Sequence, residues 1–333
     1  MFNNILLKLT SVTALFGIFG NTLVFVGFHK NSPKTSTSYL FKVLAVADNL
    51  VLVSMLPYEW LSFVLHNVVT IEYDIDLNLF VRQVSLYMYP ICCMSILGSI
   101  CVTTLLAVTR VIAVYFPLHA SRLCSIIRIR VCLGVMAICT MSCNLPLYFE
   151  YWIEKETYSN VTYIVYIESR RIALINICIR VIFYSVIPLS IITATTILLI
   201  VKLRSLAKRR RQMTSHQRRN INVTRLLVAV LSVFLLCSLP YPIATFIYYL
   251  PHNIRTTFIR TMKFLDHIRT LLYMVNSSVN CLIYTILSKE YRKVVTKSIK
   301  YCLCRHPNST NLHEQGNRVR NPPEAVEQGT THL

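Results

Sequence analysis

The chain has 333 residues, of which 54% are hydrophobic and only 14% are charged, and its mean hydropathy is +0.53. Soluble globular domains carry roughly a quarter charged residues, so this composition excludes an ordinary soluble protein and indicates a membrane protein. The net charge of +20 does not indicate nucleic-acid binding, because the Lys and Arg residues are concentrated in the connections on one side of the apolar segments.

Seven apolar segments are long enough to cross a bilayer, which takes roughly 20 residues in a helix. In chain order they are Ile5–Phe28, Tyr39–Leu65, Val81–Val114, Ile127–Tyr148, Ile172–Leu203, Val223–Leu250 and Thr257–Leu287. The sequence therefore predicts an all-α membrane protein that forms a bundle of seven transmembrane helices. The first segment is longer than the apolar core of a signal peptide, so we expect no cleavable signal.

The connections between these segments alternate in charge. Lys and Arg are concentrated in 29–34, 122–130, 202–225 and 289–305, whereas most acidic residues lie at or beyond the opposite ends of the segments. Because basic residues concentrate in cytoplasmic loops, we predict that the N-terminus lies outside the cell and the C-terminus inside. The sequon at Asn160 then falls on the outer side, and we predict its glycosylation.

The residues after Ser288 predict a short amphipathic eighth helix on the cytoplasmic membrane surface, within 288–304. Cys302 and Cys304 beside it are predicted palmitoylation sites. The seven-transmembrane domain would then comprise 1–304, followed by a disordered polar tail at 305–333. We expect membrane lipids to contact the basic run at 208–211, and the last three residues match a PDZ-ligand pattern that often occurs by chance.

The cysteines and other reactive side chains indicate neither a metal centre nor an enzyme. None of the 12 cysteines falls in a segment assigned to the outside, so we expect no external disulfide. No Cys or His cluster has zinc-ligand spacing, and no nucleophile lies beside a base in a catalytic pattern.

Five motifs in successive segments resemble those of the rhodopsin-like (class A) G-protein-coupled receptors. They are Gly20–Val24 for GNxLV, Leu44–Asp48 for LxxAD, Thr109–Val111 for the Asp/Glu-Arg-Tyr triplet, Cys237–Pro240 for CWxP and Asn280–Tyr284 for NPxxY. Each motif alone is weak, but their order on the right segments is specific. Asn144–Tyr151 and Asn276–Tyr284 are similar to invertebrate FMRFamide-type peptide receptors. The resemblance implies a plasma-membrane receptor that couples an extracellular peptide to a heterotrimeric G protein, with arrestin as a further partner.

The chain also departs from the family pattern. Thr109 replaces the acid of the triplet, Ser238 the tryptophan of CWxP and Cys281 the proline of NPxxY, and Ser85 stands where the third helix usually carries a disulfide cysteine. These departures keep open a constitutively active receptor or a decoy. A multispan transporter is a second alternative, but it would need an inverted repeat with broken helices, which the sequence lacks.

Asp48 is a carboxylate in the middle of the second segment, where burial without partners is costly. The resemblance implies a sodium pocket made of Asp48, Ser99, Asn276 and Asn280, and beyond that ion we expect no cofactor. The alternative is a protonated Asp48 that hydrogen-bonds to Asn21 and Asn280 and holds the helices together. The sequence leaves both alternatives open.

The resemblance assigns activation and G-protein coupling to a set of six residues: Thr109, Arg110, Phe234, Pro240, Asn280 and Tyr284. Arg110 lacks an acid both beside it and at the inner end of the sixth segment. One charge-assisted restraint, worth about 1.5–3 kcal/mol, is therefore missing. We expect either high basal activity or another contact that restrains the helix. The alternative is that Arg110 only extends to lipid headgroups.

By analogy, the ligand cavity should open toward the acid-rich side. The residues expected to line it or its mouth are Glu59, Cys92, Glu150, Arg180, Tyr241, Thr245, Asp266 and Thr270. Arg180, a cation within the fifth segment, either meets a ligand acid or pairs with a Glu. Cys92 stands where amine receptors carry an Asp, which argues against a biogenic amine. The acidic residues favour a basic, amidated peptide, with Glu59, Glu150 and Asp266 as partners for its arginine.

Overall fold

The computed structural model describes residues 2–31, 35–67, 75–158, 161–208, 215–240 and 259–287, together with Arg292 and Thr296. Within these residues, seven helices are long and apolar enough to cross a membrane. The predicted seven-helix bundle is thereby confirmed. Several predicted features lie outside the described residues: Asn160, Tyr241, Thr245, Cys302, Cys304 and most of the eighth helix.

The helices coincide closely with the predicted apolar segments, because the thickness of the bilayer sets the length of a helix that crosses it. The apolar span Ile5–Phe28 of the first helix coincides with the prediction, and the span of the third helix ends at Tyr115, one residue beyond it. The helices are α1 (Phe2–Asn31), α2 (Ser36–Asn67), α3 (Ile75–Tyr115), α4 (Pro117–Leu123), α5 (Ile126–Asn144), α6 (Arg170–Ile179), α7 (Ile187–Lys208), α8 (Ser215–Ser238) and α9 (Ile259–Leu287).

The centre of the bundle is built from α2, α3, α8 and α9. Helix α2 packs on α1 and α3, α9 packs on α1 and α8, and α7 packs on α3 and α8. Helix α5 packs mainly on α3 and leaves most of its surface exposed. Fully buried side chains such as Leu44, Leu106 and Leu231 fill the space between the central helices. The polar residues of interest are therefore held by the most tightly packed helices.

Helices α1 and α9 approach each other through two glycines. A Cβ atom on Gly20 would lie 2.7 Å from Cβ of Cys281. A Cβ atom on Gly17 would collide with the Ser278 side chain and lie 2.6 Å from Cδ1 of Leu52. The absence of a side chain at these two positions is what allows the close contact between the helices.

Two helical irregularities occur at prolines. The π-helical stretch Arg180–Val186 joins α6 to α7 directly before Pro188. Helix α8 ends at Ser238, two residues before Pro240. Proline explains both irregularities, because it lacks the N–H that a helical hydrogen bond needs and its ring collides with the preceding turn. Regular α-helical geometry is thus broken next to a proline in both the fifth and the sixth membrane helix.

A β-hairpin connects α5 to α6, after the short 3₁₀ turn Leu145–Phe149. Its antiparallel strands are β1 (Tyr151–Tyr158) and β2 (Val161–Glu168), and Trp152 pairs with Ile167. The sequence predicted an all-α protein, so the hairpin is an addition to that description. Aromatic and β-branched residues in both strands favour it. At its base, the backbone N–H of Ser169 donates to the carbonyl of Glu150 over 2.9 Å.

Candidate functional site

The two ends of the bundle differ in charge. The acid-rich end carries Glu59, Glu150 and the hairpin, whereas the basic end carries Arg110, Arg130 and Lys202. Polar groups in three places along the bundle can bind or respond to another molecule: a cavity toward the acid-rich end, the Asp48 cluster in the middle, and Arg110 at the basic end.

The cavity is small: about 50 Å³ is available to the centres of water-sized spheres, and its empty space reaches about 490 Å³ only when open solvent at its mouth is included. Its walls come from α2, α3, the π-helical stretch and α9. The lining residues are Met55, Tyr58, Tyr89, Cys92, Cys93, Ile96, Arg180, Tyr184, Arg269, Thr270 and Tyr273. Four tyrosines and two arginines thus give the described part of the wall an aromatic and basic character.

Three of the predicted ligand residues line this cavity: Cys92, Arg180 and Thr270. In the described part of the chain no carboxylate lines it, and Glu59 and Glu150 lie behind or beside the wall. Asp266 belongs to α9, but its side chain is outside the described part. The predicted acidic lining is therefore not what the described residues provide.

Arg269 and the four tyrosines line the cavity without having been predicted from the sequence. A usable signal existed for Arg269, because it is a cation inside an apolar segment, the same argument that identified Arg180. The tyrosines carried no such signal. Tyrosine is common in transmembrane helices, and its side chain can either pack in the core or line a cavity.

Glu150 is held by two donors from the neighbouring helix. Its Oε2 atom accepts a hydrogen bond from Nδ2 of Asn176 over 2.6 Å and pairs with Nη2 of Arg180 over 3.2 Å. The Arg180 guanidinium also lies 5.5 Å from the centre of the Tyr89 ring. Of the two alternatives left open for Arg180, the structure has the internal ion pair. Its geometry directs the Glu150 carboxylate to Arg180 and Asn176 rather than to the cavity.

Tyr184 links three elements beneath the cavity. Its hydroxyl lies 2.6 Å from Oδ1 of Asn144 and 2.9 Å from the carbonyl oxygen of Cys93. Asn144 in turn donates to the Thr140 carbonyl over 2.7 Å. The π-helical stretch is thus tied to both α3 and α5, which fixes the position of Arg180 one turn away.

Asp48 lies in the middle of the bundle and is only 1% exposed. Its Oδ1 accepts from the Ser99 hydroxyl over 2.6 Å, and its Oδ2 accepts from Nδ2 of Asn280 over 2.7 Å. The Ser277 side chain also interacts with the carboxylate. The cluster therefore joins α2 to α3 and α9.

Two residues predicted near Asp48 are placed differently. Asn21 donates to the backbone carbonyl of Ser277 over 2.9 Å, so it supports the cluster from behind. Asn276 is half-buried one turn before Asn280, and within the described residues it makes no hydrogen bond with Asp48. The structure thus brings together Asp48, Ser99 and Asn280, with Ser277 as a member that we had not predicted.

Arg110 is buried at the basic end of α3, with 6% of its surface exposed. The Thr109 hydroxyl donates to the carbonyl of Leu106 over 3.0 Å and not to its neighbour. In the described ranges no acid pairs with Arg110, and the titratable group that interacts with it is Cys124. The guanidinium is therefore enclosed by protein and does not extend into lipid.

Two of the remaining predicted activation residues, Tyr284 and Phe234, are packed in the core. Tyr284 lies against Phe41 and Phe28 with edge-on ring contacts of 5.2 and 6.5 Å between centroids. Phe234 is 3% exposed within α8. These contacts join the basic ends of α1, α2 and α9, next to the helix that carries Arg110.

Comparison with known proteins places this geometry in context. Residues 20–284 match the family described as 7 transmembrane receptor (rhodopsin family). The chain is 24% identical over 261 residues to the Caenorhabditis elegans protein named sex peptide receptor-related protein 2, covering 70% of this chain and 56% of that protein. It is 24% identical over 311 residues to the Drosophila melanogaster FMRFamide receptor, covering 86% of this chain and 52% of that protein.

A third relative is the C. elegans FMRFamide peptide receptor frpr-18, which is 23% identical over 309 residues. That match covers 88% of this chain and 68% of the relative. The chain thus spans little more than half the length of the first two curated relatives.

Changing Glu150 to Gln should lower the free energy of unfolding by about 3 kcal/mol, because it removes the counter-charge of the partly buried Arg180. Glu150→Gln with Arg180→Gln together should cost less than the sum of the two single changes, since neither charge then remains. Thermal unfolding of the purified protein in detergent measures this. Arg204→Gln, an exposed basic residue of α7, is the control; strictly additive effects of Glu150→Gln and Arg180→Gln would contradict the ion pair.

Proposed function

The chain belongs to the rhodopsin family of seven-transmembrane receptors, and we propose that it transmits the binding of an extracellular FMRFamide-like neuropeptide to a heterotrimeric G protein. Members of this family are receptors rather than enzymes, and the family assignment also disfavours the transporter alternative. The two relatives named FMRFamide receptors support the peptide class.

The observation that carries the proposal is the tyrosine-rich cavity toward the acid-rich end. Tyr58, Tyr89 and Tyr273 supply ring faces that suit both a phenylalanine side chain and a guanidinium, through ring–ring and cation–π contacts. Because Glu150 is engaged by Arg180, a ligand arginine would pack on the tyrosines or compete with Arg180 for that carboxylate. A peptide with an Arg-Phe-amide end offers both groups without a terminal negative charge.

The basic end supports the G-protein half of the proposal. It carries Arg110 on α3, and the exposed cations Arg122, Arg204 and Arg218 belong to α4, α7 and α8 at the same end. By the positive-inside rule this end faces the cytoplasm, which puts the N-terminus outside and the C-terminus inside. Arrestin, a PDZ domain and palmitoylation at Cys302 and Cys304 stay predictions.

A cell-based G-protein activation assay with a library of amidated Arg-Phe peptides tests the function. At least one peptide should activate, and the same peptide with alanine in place of its terminal phenylalanine should be weaker because it loses the ring contacts with the tyrosines. Tyr89→Ala should raise the half-maximal concentration about tenfold or more, as expected for the loss of one buried aromatic contact. Tyr87→Ala, an exposed tyrosine of the same helix, is the matched control. No response to any peptide from a receptor detected at the cell surface would overturn the proposal.

A constitutively active receptor is a second candidate, and Arg110 is the observation that favours it. A buried guanidinium with no acidic partner among the described residues lacks one restraint that holds the third helix in the family's resting state. The same geometry is compatible with a decoy that does not signal. Basal turnover of G protein separates the two.

Thr109→Asp should lower basal G-protein turnover about tenfold, because it supplies an acid beside Arg110 in place of a hydroxyl bonded to Leu106. Thr109→Asn is the control, because asparagine has nearly the shape of aspartate without its charge. It should leave turnover near the wild-type value. Basal nucleotide exchange on purified G protein is the measurement. Equal turnover in all three proteins would remove the idea that a missing charge raises activity.

We further propose that the Asp48 cluster binds a sodium ion. A carboxylate, the Ser99 and Ser277 hydroxyls and the Asn280 amide oxygen are donors that suit a hard monovalent cation. Asn276 does not contribute in the described geometry. The competing proposal, a neutral Asp48 that only joins helices, uses the same hydrogen bonds.

Asp48→Asn should abolish any difference in thermal unfolding between sodium chloride and choline chloride at equal ionic strength, because it removes the anionic ligand. Wild-type protein should unfold several degrees higher in sodium, as expected when an ion binds only the folded state. Ser54→Ala, a polar change elsewhere on α2, is the control. An identical unfolding temperature of the wild type in both salts would favour the neutral carboxyl.

A further inference from the structure

Two cations from different helices converge on one aromatic ring at the basic end. Nζ of Lys42 on α2 lies 5.8 Å from the centre of the Tyr39 ring, and Cζ of Arg130 on α5 lies 5.4 Å from it. The ring is half-buried against the core, which limits its movement. Each cation is attracted to the ring, and with both charges within 6 Å of its centre the cluster has a local excess of positive charge that an anion would offset.

No protein anion fills this role in the described part of the chain. The acids whose side chains are described are Asp48, Glu59 and Glu150. Asp48 is six residues further along α2, about 9 Å along the axis, and is held by Ser99 and Asn280. Glu59 and Glu150 lie at the opposite end.

The cluster lies where a lipid headgroup can reach it. Arg130 is exposed on α5, whose surface is largely uncovered by other helices, and Lys42 is partly exposed near the start of the span Ser36–Val64. Long basic side chains at such a depth extend to the phosphate level of the bilayer. Within the described residues, the Tyr39 hydroxyl makes no hydrogen bond and can donate one to a phosphate oxygen.

We propose that Tyr39, Lys42 and Arg130 form a binding site for the phosphate of a phosphoinositide lipid between α2 and α5. A phosphate monoester carries about −1.5 to −2 charges near neutral pH, which matches two cations better than the single charge of an ordinary phospholipid diester. The proposal rests on the proposed membrane orientation, because phosphoinositides belong to the cytoplasmic leaflet. The contacts within the site do not depend on a peptide ligand or on a G protein.

Binding of fluorescent phosphatidylinositol bisphosphate to the full chain in phosphatidylcholine nanodiscs tests the site. Lys42→Gln with Arg130→Gln should weaken binding about 30-fold, roughly fivefold for each lost cation. Lys202→Gln with Arg204→Gln removes the same charge from the same end of the bundle and should weaken binding less than about threefold, through the general surface potential alone. Lys42→Arg with Arg130→Lys keeps both charges and should retain binding, which controls for misfolding.

Equal weakening in the two charge-removing pairs would overturn the proposal, since it would mean diffuse attraction to a basic surface. Tight binding of soluble inositol trisphosphate in discs without the lipid would assign the site to a free phosphate and overturn the lipid. Neither readout uses peptide or G protein, so failure here is distinguishable from failure of the receptor function.

Discussion

A polar side chain inside a bilayer has no water to hydrogen-bond with, and this constraint explains the polar contacts between the helices. Asp48 is the strongest case, because a carboxylate at the centre of the membrane must be bonded from several sides. Its partners come from α3 and α9, so one side chain specifies how three helices meet. Asn21 extends the same arrangement to α1 through the carbonyl of Ser277.

The three polar centres along the bundle differ in how completely neighbouring residues compensate the charge of the central side chain. At the acid-rich end, Arg180 has Glu150 and a tyrosine ring. In the middle, Asp48 has three polar neighbours. At the basic end, Arg110 is buried with no acid beside it in the described residues. The least compensated centre is thus the one at the proposed G-protein surface, where an incoming partner can supply hydrogen-bond acceptors.

Much of the fold could be predicted because span length and loop charge are imposed by the membrane. The Ile5–Phe28 span was predicted to the residue for that reason. The hairpin was not, although its strands are adjacent in sequence, because charged and polar residues alternate there with the aromatic and β-branched ones that favour strands. The sequence also suggested an acidic ligand site, because it showed Glu150 near the mouth but not that Asn176 and Arg180 reach its carboxylate. Asn276 shows the same limit. Its spacing from Asn280 predicts the turn of the helix on which it lies but not the direction of its side chain.

Glu150 acts in two ways at once, through its backbone and through its side chain. Its carbonyl holds the base of the hairpin at Ser169, and its carboxylate holds Arg180 at the first residue of the π-helical stretch. That stretch runs directly into Pro188. The base of the hairpin and the start of the fifth membrane helix therefore share one residue, so a displacement of the strands would disturb the Arg180 ion pair as well.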